Sequence, residues 1–304
     1  MKNEIFNEKI KGFIVNINGQ LTSGDKAKIS IFDRGLLFGD SIYEVTSTIN
    51  RKILFFTEHL NRLFNSADLI SLPLNFSNDE IVQESIKTLE KLNCDNAYIR
   101  IIITRGLSFP SIDPTQFIAN NLIIICMPSL NEPTFWQEEG IKVIIGNTIR
   151  NHKRSIDPNA KSGNYLNNIM ALSEAKRRGF SDTIMCNSDG VITEGTTNNI
   201  WLIKNGVYKT PSLDSGLLKG ITREKILTIL KKKNLPIQET KITPEELINS
   251  EECFISSSTR GIVPITQIND KIIGDGTAGK KTKLLFDYYQ EFLLQEMDKT
   301  PYSF

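Results

Sequence analysis

With 304 residues, 36 Lys+Arg against 35 Asp+Glu and a formal net charge of +1, the chain has room for one large or two medium domains. It has no charge excess to draw it to nucleic acid or an anionic membrane. The longest apolar run, Leu122 to Met127, is far too short to cross a bilayer, Met1-Lys2-Asn3-Glu4 opens no signal-type segment, and the four cysteines (94, 126, 186, 253) and two histidines (His59, His152) are too scattered for a disulfide framework or a histidine-rich metal site; a cytoplasmic protein with free thiols, no metal and small-molecule partners is expected.

Phe13 to Ile17, Asn18-Gly19 and Gln20-Leu21-Thr22 read as a hairpin with an Asn-Gly turn. Ser41 to Ile49 and Ile53 to Phe56 read as two further strands. Thr57 is the expected cap of a helix with Leu60, Leu63, Phe64, Ala67 and Ile70 on one face. Ser77-Asn78-Asp79-Glu80 is a capping box that opens a helix to about Leu92. Tyr98 to Thr104 and Leu122 to Met127 are β-rich and close a first, smaller α/β domain, residues 1–128. A Pro- and Asn-bearing linker is expected at 129–135 and a larger domain at 136–304.

The second domain opens on a strand from Lys142 to Gly146, then a helix from about Asn164 to Arg178 that stops at Gly179. Short strands follow, separated by Ser188-Asp189-Gly190 and Asn205-Gly206. A helix begins at Thr222 and ends in Lys231-Lys232-Lys233, which suits the negative end of its dipole. Thr243-Pro244 starts another helix, and the last runs from roughly Lys280 to Met297.

Two segments carry chemistry. Lys161-Ser162-Gly163-Asn164-Tyr165-Leu166-Asn167-Asn168 offers an amine just ahead of a helix. Gly190-Val191-Ile192-Thr193-Glu194-Gly195-Thr196-Thr197-Asn198-Asn199 offers a carboxylate in a turn after an apolar strand. A lysine able to form a Schiff base and an acid able to pair with a protonated ring nitrogen are what pyridoxal 5'-phosphate chemistry requires. Gly220-Ile221-Thr222-Arg223 precedes an apolar-periodic helix, where backbone N–H groups and a hydroxyl suit a phosphate. Taken singly, each of these is an ordinary polar loop residue or a helix cap.

Together the segments resemble the class IV (fold-type IV) pyridoxal-phosphate-dependent aminotransferases, which include branched-chain and D-amino-acid aminotransferases and aminodeoxychorismate lyases. Asp33-Arg34-Gly35-Leu36-Leu37-Phe38-Gly39-Asp40, running on through Tyr43-Glu44-Val45, is similar to the family's Arg-Gly-x-x-x-Gly-Asp signature. Glu58-His59-Leu60-Asn61-Arg62-Leu63 resembles its Glu-His-Ile-x-Arg-Leu run, so the resemblance extends from about Asp33 to Pro264. It implies an α+β, two-domain fold-type IV enzyme, D-amino-acid aminotransferase-like, with the cofactor between the domains. It implies Lys161 as the catalytic lysine that holds the cofactor as an internal aldimine. Arg62, Ile221, Thr222 and Ser258 would hold the phosphate, Tyr165 the phenolic oxygen and Glu194 the ring nitrogen. Tyr43, Arg100, Thr259 and Arg260 would lie on the substrate side, and a homodimer would be expected.

The features of individual members divide. Asn96-Ala97-Tyr98-Ile99-Arg100 and Asn164-Tyr165-Leu166-Asn167-Asn168 resemble branched-chain enzymes, whereas Tyr43-Glu44-Val45 looks closer to D-amino-acid aminotransferases. Arg260 stands where both groups usually carry alanine, either to bind a second carboxylate or as a structural side chain. The expected activity is transamination of branched-chain L-amino acids with 2-oxoglutarate. D-amino-acid transamination and aminodeoxychorismate lysis are alternatives, as is a non-enzymatic cofactor-binding role.

Overall fold

Asn18 and Gly19 turn the chain at positive φ (52° and 86°), and β1 (Ile14–Ile17) pairs antiparallel with β2 (Gln20–Ser23) as expected. The chain is represented by a computed structural model that describes residues 8–129 and 139–304. The expected linker at 129–135 lies, apart from Ser129, outside the described residues. Two compact units emerge. The first comprises the chain ahead of the linker together with Ala160–Asn164 and Glu296–Phe304, and the second comprises the remainder through Gln295. Residues 160–164 and 296–304 had been expected within the 136–304 domain.

The first unit is a six-stranded sheet ordered β2-β1-β6-β5-β3-β4, antiparallel throughout. Its other strands are β3 (Ser41–Ile49), β4 (Lys52–Ile53), β5 (Ala97–Thr104) and β6 (Asn121–Pro128). Between β2 and β3, the short helix α1 (Arg34–Phe38) is capped by the Asp33 side chain. In β5 the residues Ala97, Ile99, Ile101 and Ile103 alternate into the core, as period-2 patterning demands. Leu60, Leu63 and Ala67 of α2 (Phe56–Leu69) meet them, with Ile81 and Leu89 of α3 (Asn78–Leu92). The capping box forms as read, with Ser77 Oγ accepting from the Glu80 N–H and Glu80 accepting from the Ser77 N–H.

The start of α2 departs from the sequence reading. β4 ends at Ile53, and Phe55 takes up a left-handed conformation (φ 49°), which turns the chain into a helix that begins at Phe56 with no side-chain cap. Core packing decides this. Leu54 and Phe56 are both buried, and the Phe56 ring meets Tyr302 edge-on at 5.2 Å. Thr57 therefore lies inside the helix, and its hydroxyl reaches the Tyr302 hydroxyl instead.

The second unit carries a nine-stranded sheet ordered β12-β11-β10-β13-β14-β7-β8-β9, with β15 pairing β14. Its strands are β7 (Ile141–Ile145), β8 (Asp182–Cys186), β9 (Ile192–Gly195), β10 (Asn199–Lys204), β11 (Val207–Pro211), β12 (Ile237–Thr240), β13 (Glu252–Ser257), β14 (Gly261–Ile268) and β15 (Lys271–Ile272). The β11/β12, β14/β7 and β7/β8 pairs are parallel. β10 is buried on both faces: Ile200 and Leu202 enter one core, while Trp201 on the other face stacks on Phe254 at 5.5 Å. The helices are α4 (Leu166–Arg177), α5 (Ile221–Lys232), α6 (Pro244–Ile248) and α7 (Lys280–Lys299).

Two helix starts differ here as well. Asn164 donates to the Gly39 carbonyl rather than entering α4. Gly220, not Thr222, is the N-cap of α5, because the Thr222 side chain is buried in the first turn. No helix among the described residues is long and apolar enough to cross a membrane. All four cysteines are free thiols, and burial pushes the Cys253 thiol up to about 12.

Candidate active site

Lys161 sits on a short extended piece laid along the start of β3. The Tyr43 N–H donates to the Lys161 carbonyl, the Gly163 N–H donates to the Ser41 carbonyl, and Ile42 bridges Ser162. A side chain at Gly163 would crowd the Ser41 hydroxyl, so glycine suits this close approach. The consequence is local and chemical. Lys161 Nζ lies 3.3 Å from the Tyr43 hydroxyl and 4.4 Å from the centre of its ring. The Arg100 guanidinium stands over the same ring at 4.3 Å. Two basic side chains thus lie against one aromatic ring.

The α2 face next to this segment is polar and ordered. Arg62 donates to both Glu44 oxygens, from Nε at 2.6 Å and from Nη2 at 2.7 Å, and His59 Nδ1 meets Glu44 Oε2 at 2.7 Å. Glu44 and His59 are buried. Burial pushes the Glu44 carboxyl up, but the Arg62 guanidinium and the His59 hydrogen bond outweigh it and bring it down to about 2. Burial also lowers the His59 pKa against the pull of Glu44.

In the second unit, Glu194 lies on β9, one residue before its end, and is almost wholly buried. Its Oε1 accepts from Arg150 Nε at 2.9 Å, and its Oε2 accepts from the Leu218 N–H at 3.1 Å. Asn199 Nδ2 donates to the Leu218 carbonyl, so both backbone polar groups of Leu218 are tied to side chains of β9 and β10. Two residues on, Gly220 leads into α5, with Ile221 and Thr222 in its first turn. Thr222 Oγ1 is buried and makes no hydrogen bond of regular geometry. It does lie close enough to the Tyr289 phenol to oppose a rise in pKa that burial drives to about 12.

Ser258, Thr259 and Arg260 form the turn between β13 and β14. The Arg260 guanidinium donates to Thr197 Oγ1 at 3.1 Å and lies 3.9 Å from buried Asp182. Asp182 also accepts from Thr196 Oγ1 and Asn198 Nδ2, so one carboxylate gathers the turn that follows Glu194. Tyr165 occupies the N-cap position of α4 without a side-chain cap bond.

Lys161, Tyr43, Arg62 and Arg100 therefore belong to the first unit, and Tyr165, Glu194, Ile221, Thr222, Ser258, Thr259 and Arg260 to the second. Sequence reasoning missed Arg150, which lies in no motif, and gave no role to Glu44 or His59, although both stand in the quoted segments. A usable signal was present: His59 and Arg62 are three apart on one helix face.

The profile of the amino-transferase class IV family matches residues 41–268. A Methanocaldococcus jannaschii protein provisionally named a branched-chain-amino-acid aminotransferase is 31% identical over 91% of this chain and 95% of its own length. The D-alanine aminotransferase of Listeria monocytogenes serotype 4b is 33% identical over 92% of this chain and 96% of its own. Among solved structures, the branched-chain amino acid aminotransferase of Escherichia coli aligns with a TM-score of 0.89 at 27% identity, covering 93% of this chain and 95% of that one.

Proposed function

The chain belongs to the class IV aminotransferases, and from that premise we propose that it is a pyridoxal-phosphate-dependent transaminase of branched-chain L-amino acids with 2-oxoglutarate as acceptor. The observation that carries the reading is the amine of Lys161 held beside the Tyr43 phenol, on an extended segment whose backbone is hydrogen-bonded to the start of β3. The residues present fit the cofactor. The buried Thr222 hydroxyl in the first turn of a helix suits a phosphate, and buried Glu194 suits a protonated ring nitrogen.

The chemistry supplied by pyridoxal phosphate is electron withdrawal from the substrate α-carbon and carriage of the amino group. Lys161 would attach the cofactor and, once released, take and return the substrate α-proton at Nζ. Glu194, oriented by Arg150 and the Leu218 N–H, would keep the ring nitrogen protonated. Arg62, the first turn of α5 at Ile221 and Thr222, and Ser258 would hold the phosphate; Tyr165 would donate to the phenolic oxygen. Tyr43, Arg100 and Thr259 would bound the substrate, while Arg260 would brace the 196–198 turn through Thr197 and Asp182.

The branched-chain preference is supported by the Escherichia coli and Methanocaldococcus jannaschii similarities. The Listeria similarity favours a second reading, D-alanine transamination. Purified protein offered L-leucine, L-valine, L-isoleucine and D-alanine with 2-oxoglutarate tests both. Turnover of D-alanine alone would overturn the first reading. We also propose a homodimer, because Ile31, Phe32, Leu36, Phe109, Ile112 and Ile118 are large apolar side chains left exposed on the first unit. A monomeric mass by light scattering would overturn it.

A further inference from the structure

Resting on the reading that Arg62 binds the cofactor phosphate, we infer that Glu44 and His59 are positioning residues that aim Arg62 at that group. The geometry is a closed set. Glu44 lies on β3, and His59, Arg62 and Ser66 line one stripe of α2 at spacings of three and four. Glu44 takes Nε and Nη2 of the guanidinium, one edge of a rigid planar fork. With that edge fixed, Nη1 points away from Glu44 by planarity alone. His59 completes the hold. A carboxylate can only accept, so the proton sits on Nδ1, and Nε2 is left buried with no hydrogen-bond partner.

Stability alone does not explain this set. Replacing a whole buried ion pair by apolar packing of the same volume is often neutral or stabilising, even though removing one partner of the pair is costly. What the set does provide is a fixed direction for one cation. Its place agrees with that purpose. Ser66 Oγ donates to the Arg62 carbonyl and accepts from the Lys161 N–H, so the turn carrying Arg62 is tied to the residue that would bear the cofactor.

The test compares two probes, pyridoxal and pyridoxal 5'-phosphate, which differ only in the phosphate. Their affinities for the purified apoprotein are measured by spectroscopic titration. The ratio of the two affinities reports the phosphate contact, whereas a general loss of structure weakens both probes alike. Arg62→Ala is the control for the underlying reading. Glu44→Gln keeps the shape but sets an amide N–H against the fork. It should lower the preference for the phosphorylated probe on the order of tenfold, equivalent to about 1.4 kcal/mol, with pyridoxal binding unchanged. His59→Phe removes both the donor to Glu44 and the unsatisfied Nε2, with a somewhat larger ring in a buried place, and should lower the preference severalfold in the folded variant.

If Arg62→Ala lowers the ratio but folded Glu44→Gln and His59→Phe keep it, the positioning role is overturned and the phosphate reading stands. If Arg62→Ala itself keeps the ratio, the phosphate reading fails and the positioning role falls with it. Equal weakening of both probes in Glu44→Gln and His59→Phe would mark a structural role and also overturn the inference. Should Glu44→Gln not fold, His59→Phe alone decides between these outcomes.

Discussion

Acidification should loosen the first unit through Glu44. Its carboxyl titrates at about 2 in the fold against an ordinary value of 4.5. Between those values the unfolded chain binds the extra proton, so the contribution of Glu44 is complete above about 4.5 and is lost as pH falls towards 2. The fall from 4.5 to about 2 corresponds to about 3 kcal/mol, and the near-complete burial of the carboxylate leaves little of it to be screened by solvent. His59 adds a second window of the same sign. Its pKa is lowered in the fold, so stability begins to fall as pH drops below its ordinary 6.5. Hydrogen exchange of peptides spanning β3 and α2, corrected for intrinsic rates, reads the local opening free energy between pH 7 and pH 2.5. The advantage of the wild type over Glu44→Gln should shrink by roughly 2–3 kcal/mol across the carboxylate window. An advantage that stays constant over the whole range would refute the assignment of Glu44 as the buried anion.

Three further outcomes are expected. Lys161→Ala should end covalent capture of the cofactor by borohydride, read by peptide mass spectrometry; label persisting on another lysine would move the attachment site. Glu194→Gln should leave the cofactor bound but slow the single-turnover reaction with amino donor by ten- to a hundredfold, the size of one charged hydrogen bond at about 1.5–3 kcal/mol. A wild-type rate in stopped flow would remove Glu194 from that role. Arg260→Ala should raise KM for L-leucine and 2-oxoglutarate together, because its guanidinium reaches Thr197 and Asp182 and braces a turn. A rise confined to 2-oxoglutarate would instead make Arg260 a carboxylate ligand.

Much of the architecture is written in short stretches of the chain. Asn18-Gly19 specifies its turn because both residues accept positive φ, Ser77-x-x-Glu80 specifies its cap, and the alternation of β5 specifies which side chains face the core. The segments around Lys161, Glu194, Thr222 and Arg62 were enough to indicate the family. Tertiary structure decided what depends on distant partners. Phe55 turns left-handed and α2 starts at Phe56 because two neighbouring apolar side chains are drawn into the core, against the local preference for Thr57 as cap. Residues 160–164 join the first unit because β3 offers them backbone hydrogen bonds. Arg150 meets Glu194 across 44 residues, and Glu44 meets Arg62 across 18. Neither pairing has a local signature, since an ion pair of this kind forms only where strand order and burial bring two charges together out of water. Propensity and periodicity act within a few residues, so most elements and the family can be read locally, whereas which charges meet depends on how distant strands and helices pack.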